Sequence, residues 1–385
     1  MSADDKVRPI VRSSCPDKAH YFHQACIKQS LKIKPLSERR CCLCRSADVV
    51  PLFDPDEKLF PVGLPMTWPE DLLKAITTKN DNDLKSLLKN GADPDLKDYY
   101  GIPPEVCKID LRNMNPTYND ANTGTIQPFV PFPLMISLLV DNLSATKILI
   151  DYHADVTLSV FDYSLPKLCI KKDLSDHLNV LLLRLQSGVN TTINQQGTTL
   201  LHLSAEFGSI HCGRLLVQSG AKTDTYDKKG QLPFCVNASF GKLAFGQMLL
   251  KHGLSINTRN ARGCSLLHCA ADNCQNKYLR WLLDIEGINK GVLCHEGSGI
   301  MHSAARGGNR ETIQLLSEAG FDINALTTAG YTPLHRASAL GRLEAVRALV
   351  DYGAKTDAKF NGDTAADLAV KNRHTDVVNF LQNPQ

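Results

Sequence analysis

Aromatic residues make up only 6% of this 385-residue chain, with two tryptophans in all, and the formal net charge is no more than +3. With 43% hydrophobic residues beside so little net charge, the composition excludes a disordered polyelectrolyte and a strongly basic nucleic-acid-binding domain. Long apolar runs are also missing. The longest, Phe129 to Val140, contains two prolines and is too short to span a bilayer, so no membrane partner is expected. No Gly-x4-Gly-Lys-Ser/Thr loop is present, and no nucleophile, base and orienting residue form a recognisable constellation. Catalysis is therefore not expected. Met1-Ser-Ala-Asp-Asp has no apolar segment behind it, so no secretory signal is expected. The thirteen cysteines are accordingly expected as free thiols or metal ligands in the nucleus or cytoplasm, and not as a disulfide framework.

What the chain does have is a recurring phrase. It reads Gly-Tyr-Thr-Pro-Leu-His from Gly330 to His335, Gly-Thr-Thr-Leu-Leu-His from Gly197, Gly-Cys-Ser-Leu-Leu-His from Gly263 and Gly-Ser-Gly-Ile-Met-His from Gly297. A weaker copy starts at Gly230 and a decayed one at Gly362, and successive glycines are 33, 33, 34, 33 and 32 residues apart. A second mark recurs 23 residues after the first, at Gly220, Gly253, Gly320 and Gly353. Glycine there is the expected end of a helix in the left-handed conformation, where a Cβ is penalised. Between the marks lie two short apolar-periodic helices, roughly Pro333 to Leu340 and Leu343 to Tyr352 in the last full copy.

The register extends towards the N-terminus. Leu84 to Asp95 reads as a second helix and turn, Met135 to Val156 as a helix pair with His153 in the place of the turn glycine, and Ser164 to Val189 as a divergent copy. Pro103 to Pro133 is rich in Pro, Asn and Thr, lacks helical periodicity and reads as an inserted loop. Asn361 to Leu381, with Lys371, Asn372, Arg373 and His374 turned outward, reads as the cap that an open stack requires. The expected organisation is a small module over 1–50, a linker over 51–65, and about eight repeats plus a cap over 66–385, with the insertion at 103–133.

Period, phrase and second glycine together resemble the ankyrin repeat. The resemblance implies an all-α solenoid of helix-turn-helix units with β-hairpin tips, in which neighbours supply each other's core. It also implies a concave face, built from hairpin tips and first helices, that binds a protein or peptide. By register, Lys228, Asn260, Arg262, Thr328 and Tyr331 on the tips and Arg336 and Leu340 on a first helix are the candidate partner-binding residues. His202, His268, His302 and His335 recur at one repeat position, where the family's histidine hydrogen-bonds within and between repeats, so they are expected to be structural.

Cys107, Cys169, Cys212, Cys235, Cys264, Cys269, Cys274 and Cys294 are scattered through the array and read as small packing residues. The other five lie between Cys15 and Cys44, in Cys15-Pro-Asp-Lys-Ala-His20-Tyr-Phe-His23-Gln-Ala-Cys26 and Cys41-Cys42-Leu-Cys44. His23-x2-Cys26 and Cys41-x2-Cys44 are spaced as zinc-ligand pairs, because two intervening residues let both members reach one ion. Cys15 and His20 add donors. One solution joins Cys15 and His20 to Cys41 and Cys44; another makes a single Zn2+ site from His23, Cys26, Cys41 and Cys44. Both remain open. Residues 1–50 also hold ten Lys or Arg against five Asp or Glu, a local basic excess that reads as a solvated surface around the metal site.

The cluster resembles the second half of a RING-type finger, without that family's first ligand pair, with Cys42 where a proline is usual and with Arg45 at the activating basic position. That implies, as one alternative, a ubiquitin ligase whose ankyrin array receives substrate. A degenerate RING-like segment directly before an ankyrin array also resembles the euchromatic histone H3 lysine-9 methyltransferases, whose repeats bind methylated histone tails and precede a catalytic SET domain. No SET domain lies within this sequence. The resemblance implies a chromatin protein or histone tail as partner. An aromatic cage for methyl-lysine would have to come from Phe207, Phe234, Phe240 and Tyr331, since Trp281 falls on a core slot shared with Leu215, Met248 and Leu315, and Trp68 lies at the array's start.

Overall fold

The computed structural model describes residues 68–95, 117–119, 126–128, 132–160, 163–185 and 188–382. The candidate zinc ligands Cys15, His20, His23, Cys26, Cys41 and Cys44 lie outside the described residues. The chain divides into two units, residues 1–165 and 166–385.

In the first unit, α1 (Trp68–Thr77) pairs with α2 (Asp81–Lys89), and α3 (Pro133–Leu139) with α4 (Leu143–Asp151). Leu72, Leu73, Ile76, Leu84, Leu134, Ile136, Leu138 and Leu149 fill the core between them. Asn142 ties the two pairs together: its Oδ1 caps α4 by accepting from Ala145 N, while its Nδ2 donates to the Ile76 carbonyl at 2.9 Å. The inserted stretch, expected as a plain loop, contains a short antiparallel pair, β1 (Thr117–Asn119) with β2 (Ile126–Pro128). A second small pair joins β3 (Ser159–Val160) to β4 (Tyr163–Ser164).

The second unit is a stack of helix pairs: α5 (Leu165–Lys172) with α6 (Ser175–Arg184), α7 (Leu200–Phe207) with α8 (Ile210–Gln218), α9 (Pro233–Phe240) with α10 (Leu243–Lys251), α11 (Leu266–Asp272) with α12 (Asn276–Leu283), α13 (Ile300–Gly307) with α14 (Arg310–Glu318), α15 (Pro333–Ala339) with α16 (Leu343–Asp351), and α17 (Ala365–Lys371) with α18 (Thr375–Gln382). First helices pack in one row from α7 to α17 and second helices in another from α6 to α18. Among the described residues the tips between pairs are turns, tied by single bridges such as Thr192 with Thr199 and Arg259 with Ser265.

Every pair turns the chain the same way. The residue two before each second helix has a positive φ: Lys79, Asp141, Asp173, Gly208, Gly241, Cys274, Gly308, Gly341 and Arg373. This is a third mark, 11 residues after the phrase glycine, which the sequence shows as glycine in four copies and hides elsewhere. His153 likewise takes the left-handed conformation expected of the turn glycine it replaces, with φ 66°.

First helices can be short and close because their residues are small. In α11, Cys269, Ala270 and Ala271 are buried beside Leu266 and Leu267. Cys169, Cys212, Cys235 and Cys264 are buried too, as expected of packing residues. Burial raises the thiol pKa of Cys169 and Cys212 and pushes that of Cys264 up to about 11, so these sulfurs are poor nucleophiles. One buried network bolts four helices together. Tyr278 donates its hydroxyl to Asn237 Oδ1 at 2.6 Å, and Asn237 Nδ2 donates to the Ala205 and Lys242 carbonyls at 3.3 and 3.0 Å. Gly246 makes room for that hydroxyl, since a Cβ there would collide with Tyr278.

Candidate interaction groove

The recurring histidines explain how one repeat holds the next. In the Gly330 copy, His335 Nδ1 accepts from Thr332 N at 3.2 Å and lies 2.7 Å from Thr332 Oγ1, closing the N-terminus of α15. Its Nε2 lies 3.1 Å from the Ala358 carbonyl in the following copy. A carbonyl oxygen only accepts, so Nε2 carries the proton and Nδ1 is the acceptor. The same bridge joins His202 to Gln231, His268 to Ser298 and His302 to Tyr331, at 3.1, 3.2 and 2.9 Å. Burial lowers the pKa of all four, that of His268 to about 4, so they stand neutral at pH 7. Their role is structural, as expected.

A second polar device shapes the tips. Three residues before the phrase glycine, Asn194, Asp227 and Asn260 each accept two backbone N–H groups through one side-chain oxygen. Thr327 does the same duty by accepting from Tyr331 N at 3.0 Å. These side chains belong to the turn. Asn260, expected on the partner-binding face, is 4% exposed and consumed this way, with its Nδ2 given to Gln231 Oε1 at 3.3 Å. It offers nothing to a partner.

The Gly297 copy keeps the histidine bridge but lacks the side-chain oxygens at its helix start and its tip. Cys294 stands where the other tips have Asn, Asp or Thr, and Gly299 where other helices start with Thr199, Ser265 or Thr332. His302 Nδ1 is left with one donor at the helix start, the Gly299 N–H at 3.2 Å. A recess of about 130 Å³ lies beside this copy. Its lining includes Arg262 from one tip, Cys264, Glu296 and Ser298 from the next turns, Arg306 from α13 and Arg336 from α15. Ser298 is 6% exposed and its hydroxyl has no hydrogen-bond partner. Arg306 is ion-paired with Asp272, and Arg336 lies 3.7 Å from Glu296.

Of the residues expected on this face, Arg262 and Arg336 meet at the recess. Leu340 is 41% exposed one helical turn beyond Arg336. Lys228 and Thr328 are exposed on the tips on either side of the recess. Tyr331 is half-buried: its ring lies edge-on to Phe360 with centroids 4.7 Å apart, and the Arg336 guanidinium sits over it at 5.2 Å. Its hydroxyl donates to the His335 carbonyl at 3.2 Å, so the side chain positions Arg336. The expectation missed Glu296, Ser298 and Arg306. Their signal was the departure of the Gly297 copy from Thr or Ser two residues after its glycine and from Asn, Asp or Thr three before it.

The aromatic residues considered for a cage do not assemble one. Phe234 is fully buried, Tyr331 is committed to Phe360, and Phe207 and Phe240 lie on separate repeats with Phe240 48% exposed. Trp281 is half-buried on α12, its ring edge-on to Tyr278 at 4.9 Å. No helix among the described residues is long and apolar enough to cross a membrane.

A family model of ankyrin repeats matches the chain three times, at residues 167–260, 238–327 and 300–385, which is more than half of its length. The chain belongs to the ankyrin-repeat family. Among similar proteins, human protein phosphatase 1 regulatory subunit 27 is 40% identical over 73 residues, 19% of this chain and 47% of that protein. Mouse protein phosphatase 1 regulatory subunit 12A is 37% identical over 90 residues, 23% of this chain and 8% of that protein. Calmodulin-binding transcription activator 6 of Arabidopsis thaliana is 32% identical over 116 residues, 28% of this chain and 14% of that protein. The matched stretch thus spans less than half of each of these relatives. Ankyrin repeats bind other proteins, and the interaction role follows from membership.

Proposed function

We propose that the protein is a non-catalytic scaffold whose tip and first-helix face, around residues 228–340, holds a protein or peptide partner. The observation that carries this reading is the gathering of Arg262, Arg306 and Arg336, from three consecutive repeats, around one recess. Leu340 beside it supplies an apolar anchor, and the charges orient what binds. The same charges argue against a lysine-rich histone tail, which the arginines would repel, and the dispersed aromatics argue against methyl-lysine. Two of the similar proteins are named as protein phosphatase 1 regulatory subunits, which makes a phosphatase catalytic subunit the first partner to try.

The experiment is capture by the full-length protein compared with Leu340→Asp and with Arg262→Glu, both on exposed sites. The scaffold reading expects a partner retained by the wild type and lost to both variants, with unchanged melting temperatures. Equal capture by all three overturns it.

The Cys/His cluster completes the proposal as a zinc-binding module. Cys41, Cys44 and two further donors among Cys15, His20, His23 and Cys26 would hold the ion, because thiolate and imidazole suit tetrahedral zinc. Metal analysis of freshly purified protein should find at least about one zinc per chain, reduced by Cys41→Ser; less in the wild type rejects the assignment. Autoubiquitination with a conjugating enzyme, abolished by Cys41→Ser, would instead establish the ligase alternative.

A further inference from the structure

The recess at the Gly297 copy has a charge imbalance that specifies an occupant. Three guanidinium groups border it, from Arg262, Arg306 and Arg336. Two carboxylates answer them, Asp272 on Arg306 and Glu296 on Arg336. No salt bridge among the described residues pairs Arg262, which is exposed on its tip. One positive charge is left over. The pairing at Arg336 is also loose, since the Glu296 oxygen stands at 3.7 Å and its side chain is 71% exposed. Water holds Glu296 almost as well as the arginine does, so a better-placed anion can take its position.

The second mark is the Ser298 hydroxyl. A buried hydroxyl without a partner is uncommon, and this one lines the recess. Its backbone is already fixed, with the carbonyl accepting from His268 Nε2 and from Cys294 N. The residue lines the recess, and its hydroxyl has no partner within the fold. The space, about 130 Å³, admits a carboxylate on a short methylene stem. Arginine's planar fork binds a carboxylate through two parallel N–H donors; phosphate shares the attraction to arginine, and the phosphoserine peptide in the test separates the two.

Resting on the scaffold reading above, we infer that this recess is a carboxylate pocket that receives an aspartate or glutamate side chain from an acidic segment of the partner. Arg262 and Arg336 clasp the carboxylate, the Ser298 hydroxyl donates to it, and Glu296 moves into solvent. Arg306, held by Asp272, serves as a fixed wall of the pocket. The tips carrying Lys228 and Thr328 lie exposed on either side, so a segment that continues past the pocket in both directions is the occupant, not a chain terminus.

The test uses the full-length protein and fluorescein-labelled twelve-residue Gly/Ser peptides with a central Glu, Gln, phosphoserine or Lys, together with one that ends in a free carboxylate and lacks acidic side chains. Fluorescence anisotropy at low and physiological salt reads their binding. The expected result is that the Glu peptide binds at least fivefold tighter than the Gln and Lys peptides. Arg262→Ala and Arg336→Ala should each remove most of that preference. Ser298→Ala should reduce it several-fold without lowering the melting temperature. Arg280→Ala, on a second helix, serves as the control and should change nothing. Equal or absent binding of the Glu and Gln peptides overturns the inference, and so does a preference that survives Arg262→Ala. Tighter binding of phosphoserine or of the free terminus reassigns the pocket and overturns it too. If partner capture is lost to Leu340→Asp yet unaffected by Arg336→Ala and Ser298→Ala, the scaffold reading stands and the carboxylate pocket alone fails.

Discussion

Two neighbouring copies of one phrase occupy the same place in the fold and differ in what they leave over. In Gly330-Tyr-Thr-Pro-Leu-His335, the Thr332 hydroxyl, the Thr332 N–H and the Ala358 carbonyl are all engaged by His335, and Thr327 closes the tip. In Gly297-Ser-Gly-Ile-Met-His302, the helix starts without a hydroxyl, the tip has a cysteine for its closing residue, and a serine hydroxyl is left without a partner. The first copy spends its tip and helix-start groups on itself; its buried Ser338 hydroxyl also lacks a partner, but Ser338 does not line the recess. The second has polar groups and space remaining, which is what recognition of another molecule needs.

The strongest way to break this comparison is to remove the histidines. His335→Ala strands two polar groups in a buried site, the Thr332 N–H and the Ala358 carbonyl, since the Thr332 hydroxyl still accepts from the N–H of residue 335. His302→Ala strands one, the Gly299 N–H, since the Tyr331 carbonyl also accepts from Thr327 N. Both substitutions also open a cavity. We expect each to cost about 2–4 kcal/mol, with His335→Ala worse by about 1 kcal/mol. Urea unfolding followed by circular dichroism checks the order. Equal or inverted losses would mean that the two copies are held equally well.

Acid acts on the same bridges. The four histidines have pKa values lowered by burial, so the unfolded chain binds protons that the folded chain refuses. Stability is complete above about pH 6.5, the unfolded value, and falls as pH drops below it. For His268 the loss continues to about pH 4, where the folded side chain also protonates, and amounts to about 3 kcal/mol for this residue. Melting temperatures between pH 7.5 and 4.5 should decline, and His268→Gln should flatten the decline. A profile that rises towards acid would contradict the neutral bridge.

The fold was legible because its signals are backbone signals. A glycine that must take positive φ cannot be disguised, and Gly197, Gly230, Gly263, Gly297, Gly330 and Gly362 all do so. The turn inside each pair was less legible. Asp141, Asp173, Cys274 and Arg373 adopt the same left-handed conformation there as Gly208, because the helices on both sides force it. Half of the groove was legible for a related reason. Register placed Arg262 and Arg336 on one face, and the structure brings them to one recess. Register failed for Asn260, because a side chain at a tip can point back into its own turn, and only the hydrogen bonds to Arg262 N and Cys264 N reveal that. It also passed over Ser298, since a lost partner leaves no mark at the residue that lost it. The zinc ligands stand apart, because their spacing speaks of an ion and not of the array.

Smaller effects come from exchanging the helix starts. Thr332→Ala removes the hydroxyl that faces His335 Nδ1 and caps α15, and should cost about 1 kcal/mol. The reciprocal change, Gly299→Ser, should stabilise the protein by a few tenths of a kcal/mol, because serine differs little from glycine as a helix cap. Gly299 has φ −86° and ψ 179°, an extended conformation open to any residue. A Cβ there would meet Leu293 Cδ2 at 3.6 Å and His302 Nδ1 at 3.9 Å, both ordinary contacts. The new hydroxyl would give His302 the partner that His335 already has. Gly299 does not line the recess, so the Gly299→Ser protein is expected to melt slightly higher and to bind the Glu peptide unchanged. Weakened binding would show that the recess and the missing cap are coupled. A protein that is destabilised would show that the Gly297 copy is already satisfied as it stands, and the contrast with the Gly330 copy would be lost.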